Sequence, residues 1–287
     1  MTETTDTTID LSDGQDAVRT VVDDFASSGD PVLNLGMLTD EELFAYTRDL
    51  AEAAPFGLWF SRLDEAEQQA AALGAVRARA ARGEVGADLG LLDVPLEADE
   101  EGSGRVSLET PIVAALTLRR REIHFSLRVI GSVGETWHLL RPVEADVWLR
   151  EAVTSHGFHL LSLVRLDEAE RSVYLRRLQL PEDARDLDPP QVSASFTEQE
   201  LSDASGTGRL QFLDTTVVVG NLTFLAGDTG STRSRMINVL GDGRLVIGDV
   251  SDGRVTYRGA SVTDLEGDWD AWVAGVGDVD DGGRSRG

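Results

Sequence analysis

Apolar residues recur at helical spacing near the start of the chain and give way to short β-branched runs cut by Gly and Pro. Val18, Val21, Val22 and Phe25 share one face, which predicts a helix over Ala17–Ala26 that Ser27–Pro31 breaks. A second helix is predicted from Thr39 to Ala54. Thr39 and Glu42 form a capping box, Leu43, Tyr46, Thr47, Leu50 and Ala54 share a face, and Pro55 ends it. Phe56, Trp59 and Phe60 follow and read as a core plug between helices. Asp64 and Glu67 repeat the box at the head of a third helix, Asp64–Arg82. Its small residues, Ala70, Ala71, Gly74 and Ala78 beside Leu73, favour close packing against a neighbour. Arg77, Arg79 and Arg82 suit its negative end, and Gly83 supplies the exit.

The stretch from Glu109 to Leu180 reads as sheet with one helical insert. Pro111–Arg119 is a continuous apolar run, taken as a buried strand. Glu122–Ile130 alternates, with Ile123, Phe125, Leu127 and Val129 on one face and His124, Ser126 and Arg128 on the other. Gly131–Gly134 is a turn, and Glu135–Leu140 continues the sheet. Pro142–Ser155 is the helical insert, with Pro near its first turn. Phe158–Leu166 and Ser172–Leu180 are two further strands joined through DEAER. Pro181–Gln191 is polar, acidic and Pro-rich, a linker. Phe196–Ser205 is a short helix opened by TEQE, and Asp214–Leu225 a β run. Arg235–Arg258 is a meander whose Asp242-Gly243 and Asp252-Gly253 mark tight hairpins. Asp264–Val276 closes the chain as a helix carrying Trp269 and Trp272.

The fold class is α+β: a mostly antiparallel central sheet flanked by helices. A faint duplication, helix then strands then meander then helix, occurs once on each side of the linker. The expected organisation is a disordered acidic arm at 1–16, helices plus a first sheet half at 17–180, a second sheet half with its closing helix at 192–276, and a disordered tail at 277–287.

Composition narrows the chemistry. The 287 residues contain no Cys, which excludes disulfides, thiolate nucleophiles and Cys-ligated zinc. All 26 basic residues are Arg. A P-loop, a Schiff-base enzyme and a protein kinase each need a Lys, so those classes fall away. A net charge of −25 repels nucleic acid and anionic membrane and favours basic partners or plain solubility. No apolar run approaches the roughly 20 residues that span a bilayer, and the N-terminus has neither a basic nor an apolar signal region. The expected localisation is cytoplasmic.

His156-x-x-His159 is the only close pair among His124, His138, His156 and His159. Gly157 interrupts it and no third ligand has motif spacing, so no metal is expected. Ser103 lies in an acidic loop with no G-x-S-x-G. Gly227–Ser231 reads GDTGS, a short match to the aspartic-protease signature, but Asp214-Thr215-Thr216 lacks the Gly of a second one. Asp278, Asp280 and Asp281 lack calcium-loop spacing. Arg119–Arg121 is the one basic triplet in the sheet region, read as a strand end paired to the chain's own acids. Hence no catalytic residue, cofactor or metal is assigned.

RARAARGEV at a helix end, then TPIVAALTLRR, Gly-broken hairpins and RSRMINVLGDGRLVIGDVSDGRV before a final helix give the chain a layout that resembles the actinobacterial EspG-type proteins of type VII (ESX) secretion. The resemblance spans about Thr39 to Val276 and transfers no binding residue. It implies an α+β fold with quasi-two-fold duplication and a non-catalytic cytosolic chaperone that clasps the helical tip of a secreted PE–PPE-like pair. The leading expectation is therefore a non-enzymatic protein-binding protein. The alternatives are a hydrolase with dispersed carboxylates and an acidic scaffold or immunity-type protein.

Overall fold

The computed structural model describes residues 14–47, 60–81, 108–144, 146–197, 199–200, 210–225, 232–251 and 253–277. It is α+β, with its strands paired antiparallel. The chain forms two compact units.

The first unit takes the chain up to Arg121 together with His156–Leu163. Its described elements are helix α1 (Gly14–Ser28), strand β1 (Val32–Thr39), helices α2 (Asp40–Thr47), α3 (Glu65–Ala81) and α4 (Thr110–Leu118), and most of the later strand β5 (Phe158–Val164). α1 buries Ala17, Val18, Val21, Val22 and Phe25 and packs on α4; β1 and β5 are hydrogen-bonded neighbours. Gly36 interrupts β1 with φ +142°, so Leu35 and Leu38 are both buried despite their odd spacing. A Cβ there would also lie 2.5 Å from Ile112 Cδ1 of α4.

α2 and α3 open as their boxes predict. The Thr39 N–H donates to Glu42 Oε2 at 2.9 Å and the Glu42 N–H to Thr39 Oγ1 at 3.3 Å. The Asp64 N–H donates to Glu67 Oε2 at 3.0 Å and the Glu67 N–H to Asp64 Oδ1 at 2.9 Å. Phe60 is fully buried and packs on Phe44 with ring centroids 5.4 Å apart, so the aromatic link does plug a core at this residue.

The second unit holds Glu122–Ser155 and the chain from Val164 on. Strands β2 (Phe125–Gly131), β3 (Gly134–Glu144), β4 (Val147–Val153), β6 (Ser193–Thr197), β7 (Thr216–Leu225), β8 (Thr232–Leu240), β9 (Leu245–Ser251) and β10 (Arg254–Ala260) run in the order β4-β3-β2-β7-β8-β9-β10-β6. Helices α5 (Glu168–Arg177), α6 (Gln211–Asp214) and α7 (Val262–Gly277) complete it. One face of β2–β4 carries an aromatic cluster. Phe125, Tyr174, Trp269 and Trp272 meet at centroid distances of 5.1–5.7 Å, and Trp148 joins through Trp272. A second core at the other end of the sheet joins Phe196, Phe212, Val246 and Tyr257.

Several expected elements are corrected. Pro111–Arg119 is not a strand but α4. Pro111 sits in the first helical turn, and a continuous apolar run carries no period to separate strand from buried helix. Pro142–Ser155 is not a helix: Pro142 lies within β3 and the insert is β4. That strand is buried on both faces, which erases its alternation. Ser172–Leu180 is not a strand but falls largely in α5. DEAER is that helix's start, with the Glu170 N–H donating to Asp167 Oδ1 at 3.0 Å. β1 and β6 were not expected. The TEQE box itself is present, with Thr197 N–H to Glu200 Oε2 at 2.8 Å, but Phe196 before it is a strand residue. The 1–13 part of the arm, the tail after Gly277, Ser103, GDTGS and the C-terminal Asp cluster lie outside the described residues.

Candidate functional site

Most buried charge in this protein is already matched, and the matching decides what chemistry remains. In the first unit, α2 begins where β5 begins. The Asp40 N–H donates to the Gly157 carbonyl at 3.0 Å, and His159 Nε2 lies 2.8 Å from Asp40 Oδ1. Gly157 has φ +72°, and a Cβ there would stand 2.5 Å from Asp40 Oδ2. The glycine that splits the His-x-x-His motif is therefore what lets the carboxylate approach. An Asp–His pair is the orienting half of a catalytic triad. Here both side chains are wholly buried. His156 is exposed on the adjoining turn.

In the second unit, Arg141 Nη1 lies 2.7 Å from Glu151 Oε2 with both side chains buried. On the opposite face of the same strands, Glu170 Oε2 accepts from Arg150 Nη1 at 2.7 Å, and His138 Nε2 stands 3.1 Å from Glu170 Oε1. The His138 contact has ion-pair distance without hydrogen-bond alignment. Burial lowers the His138 pKa below its usual value against the pull of Glu170, with Arg177 and Arg150 adding to the lowering. Burial pushes the Glu170 carboxyl up, yet its His138 and Arg150 partners outweigh that and hold it below the ordinary value. His124 stacks edge-on to Trp148 at 5.9 Å and is lowered chiefly by burial, against the pull of Glu122.

A pH test follows. The folded state resists protonating His138, so the unfolded chain binds more protons as pH falls below about 6.5, the unfolded His value. The stability contributed by neutral His138 is present at pH 7.5 and declines toward pH 5.5. Unfolding free energies from urea titrations over that range should fall for the wild type and fall less steeply for His138→Gln, by up to about 1.4 kcal/mol per pH unit. Equal slopes would contradict the assignment.

The four histidines thus separate, two in each unit, and each buried one faces its own carboxylate. Among the described residues no three His, Asp or Glu side chains gather as a metal ion would require. Arg119–Arg121 follow α4 rather than a strand, where their charge suits the helix C-terminus. No described helix is long and apolar enough to cross a membrane.

Among the described residues of the first unit lies a cleft of about 920 Å³ between α3, α2 and the β1 and β5 strand ends. Ala71, Gly74, Ala75 and Ala78 of α3 form one wall at i, i+3, i+4 and i+7. Met37 and Phe158, 50% and 39% exposed, line it from β1 and β5. Arg79 and Glu42 also line it, but they satisfy each other at 2.7 Å, and Arg79 donates to the Met37 carbonyl as well. Glu41 is a further lining acid, with no cation beside it among the described residues. Sequence spacing picked out Ala71, Gly74 and Ala78, with Ala70 and Leu73, as a close-packing surface; it missed Ala75 and gave no sign of the facing strand β1, so the cleft itself went unseen.

No family model matches this chain, and no curated protein is significantly similar to it.

Proposed function

We propose that this chain is a protein-binding, chaperone-like protein, and that the α3 cleft receives an apolar helix bearing a basic residue. The carrying observation is the cleft itself. Small residues on α3 allow close backbone approach, Met37 and Phe158 offer adaptable apolar contact, and Glu41, with no ion-pair partner among the described residues, favours a cation at the rim. The Glu42–Arg79 pair leaves little charge there for acid–base work, which supports a groove over a hydrolase pocket. The layout that resembles EspG-type proteins, less the strand expected of TPIVAALTLRR, which is helix α4, supports a cytoplasmic role in which the helix is the tip of a secreted PE–PPE-like pair. The net charge of −25 supports a partner with a basic face.

Gly74→Leu tests this cleanly. Among the described residues nothing lies within 4 Å of a Cβ at Gly74, so a side chain grafted there starts into open space on the cleft wall. The substitution also improves helix propensity by up to about 1 kcal/mol. The variant should be at least as stable as the wild type yet lose the partner helix. Unchanged partner binding by a folded Gly74→Leu protein would remove the cleft from the account.

A further inference from the structure

The first turn of α2 touches both walls of the α3 cleft. Asp40, Glu41 and Glu42 are consecutive, so their side chains leave the helix about 100° apart. Asp40 turns to β5. Its Oδ1 lies 2.8 Å from His159 Nε2, and its N–H donates to the Gly157 carbonyl at 3.0 Å. Phe158, which lines the cleft, sits in the chain between those two contacts. Glu42 turns to α3. Its Oε1 accepts from Arg79 Nε at 2.7 Å and its Oε2 from the Thr39 N–H at 2.9 Å, while Arg79 also donates to the Met37 carbonyl. Glu41 stands between them, half-buried and lining the cleft.

Asp40, His159, Glu42 and Arg79 are all buried. A surface ion pair is loosely held, whereas a buried charge leaves its partner only at large cost. The tie to α3 matters because that helix has little other anchorage. Among its described side chains only Gln68, Ala72 and Arg79 are buried, and Gln68 bonds back to the Phe60 and Leu63 carbonyls just ahead of the helix. We infer that the first turn of α2 is the positioning bracket of the cleft. Asp40 and Glu42 fix the spacing of its two walls, β5 and α3, and so set the aperture offered to a partner helix. That role rests on the helix-binding reading, but the wall spacing is measurable without any partner.

The chain has no Cys, so two introduced cysteines carry spin labels without competition. Labels at Arg77→Cys on α3 and Leu160→Cys on β5, both exposed positions, report the wall-to-wall distance by double electron–electron resonance. The labelled chain should give one narrow distribution. Asp40→Ala, and separately the double variant Glu42→Gln with Arg79→Met, should at least double its width while far-UV circular dichroism stays that of the wild type. Gln at position 42 keeps the α2 capping box, so the double variant removes only the tie to α3. Asp40→Asn retains an acceptor for His159 and should keep the distribution narrow, as should Gly74→Leu. An unchanged width in either folded tie-breaking variant, or equal broadening in Asp40→Asn, would overturn the bracket. Widths that respond as expected while Gly74→Leu still binds a partner helix would remove the helix-binding reading and leave the bracket standing.

Discussion

Glu151→Ala is expected to cost about 3–5 kcal/mol of folding stability, among the largest losses any single substitution should produce here. Glu151 is wholly buried and its Oε2 lies 2.7 Å from Arg141 Nη1, whose side chain is only 4% exposed. Register explains the contact: Leu139 pairs with Glu151 and Arg141 with Leu149, so the two charges sit diagonally on one face of β3 and β4. Arginine cannot shed its proton, so truncating the acid leaves a desolvated cation without its counter-ion. The cost belongs to that orphaned charge rather than to the pair. A double variant, Arg141→Met with Glu151→Leu, should therefore recover most of the loss, because apolar groups of similar volume replace a pair that had to be desolvated. Urea denaturation followed by circular dichroism measures both. A loss under about 1 kcal/mol for the single variant would mean that water reaches the pair.

Trp269→Ala should follow closely, at about 3–5 kcal/mol. Trp269 is 3% exposed, stacks on Tyr174 at 5.4 Å with planes 16° apart, and meets Phe125 and Trp272 edge-on at 5.3 Å. Removing it opens a cavity bounded by α5, α7 and β2, which rigid aromatic neighbours cannot collapse to fill. Trp269→Phe keeps much of the ring volume and should cost less than half as much. The ratio of the two losses tests packing, since a mere surface role would make both small.

The contrast between those residues shows what was legible in the chain. Trp269 and Trp272 stand three apart on a predicted closing helix, and α7 buries both. The meander was equally plain, because Gly243 and Gly253 adopt the positive φ that its Asp-Gly turns demand. The capping boxes at Thr39 and Asp64 located the starts of α2 and α3 from chemistry alone. Glu151 was hidden. β4 buries Trp148 and Ala152 on one face and Leu149, Glu151 and Val153 on the other, so its polar pattern mimics a helix. The same ambiguity turned α4 into an expected strand. Asp167 was the overlooked signal at α5: a capping acid three residues before Glu170 marks a helix start as surely as Asp64 does. Pairings far apart in sequence, such as Asp40 with His159, have no sequence signature at all.

The cleft rests on such a long-range meeting, of α3 with the ends of β1 and β5. The most direct measurement of its role is photo-crosslinking in the native host, with a benzophenone side chain at Ala75 in the otherwise wild-type chain. Adducts should map to an apolar helical segment of another protein that carries a flanking Lys or Arg, and Gly74→Leu should abolish them while the fold persists. Crosslinks confined to this chain itself, or adducts that survive Gly74→Leu undiminished, would contradict the binding account.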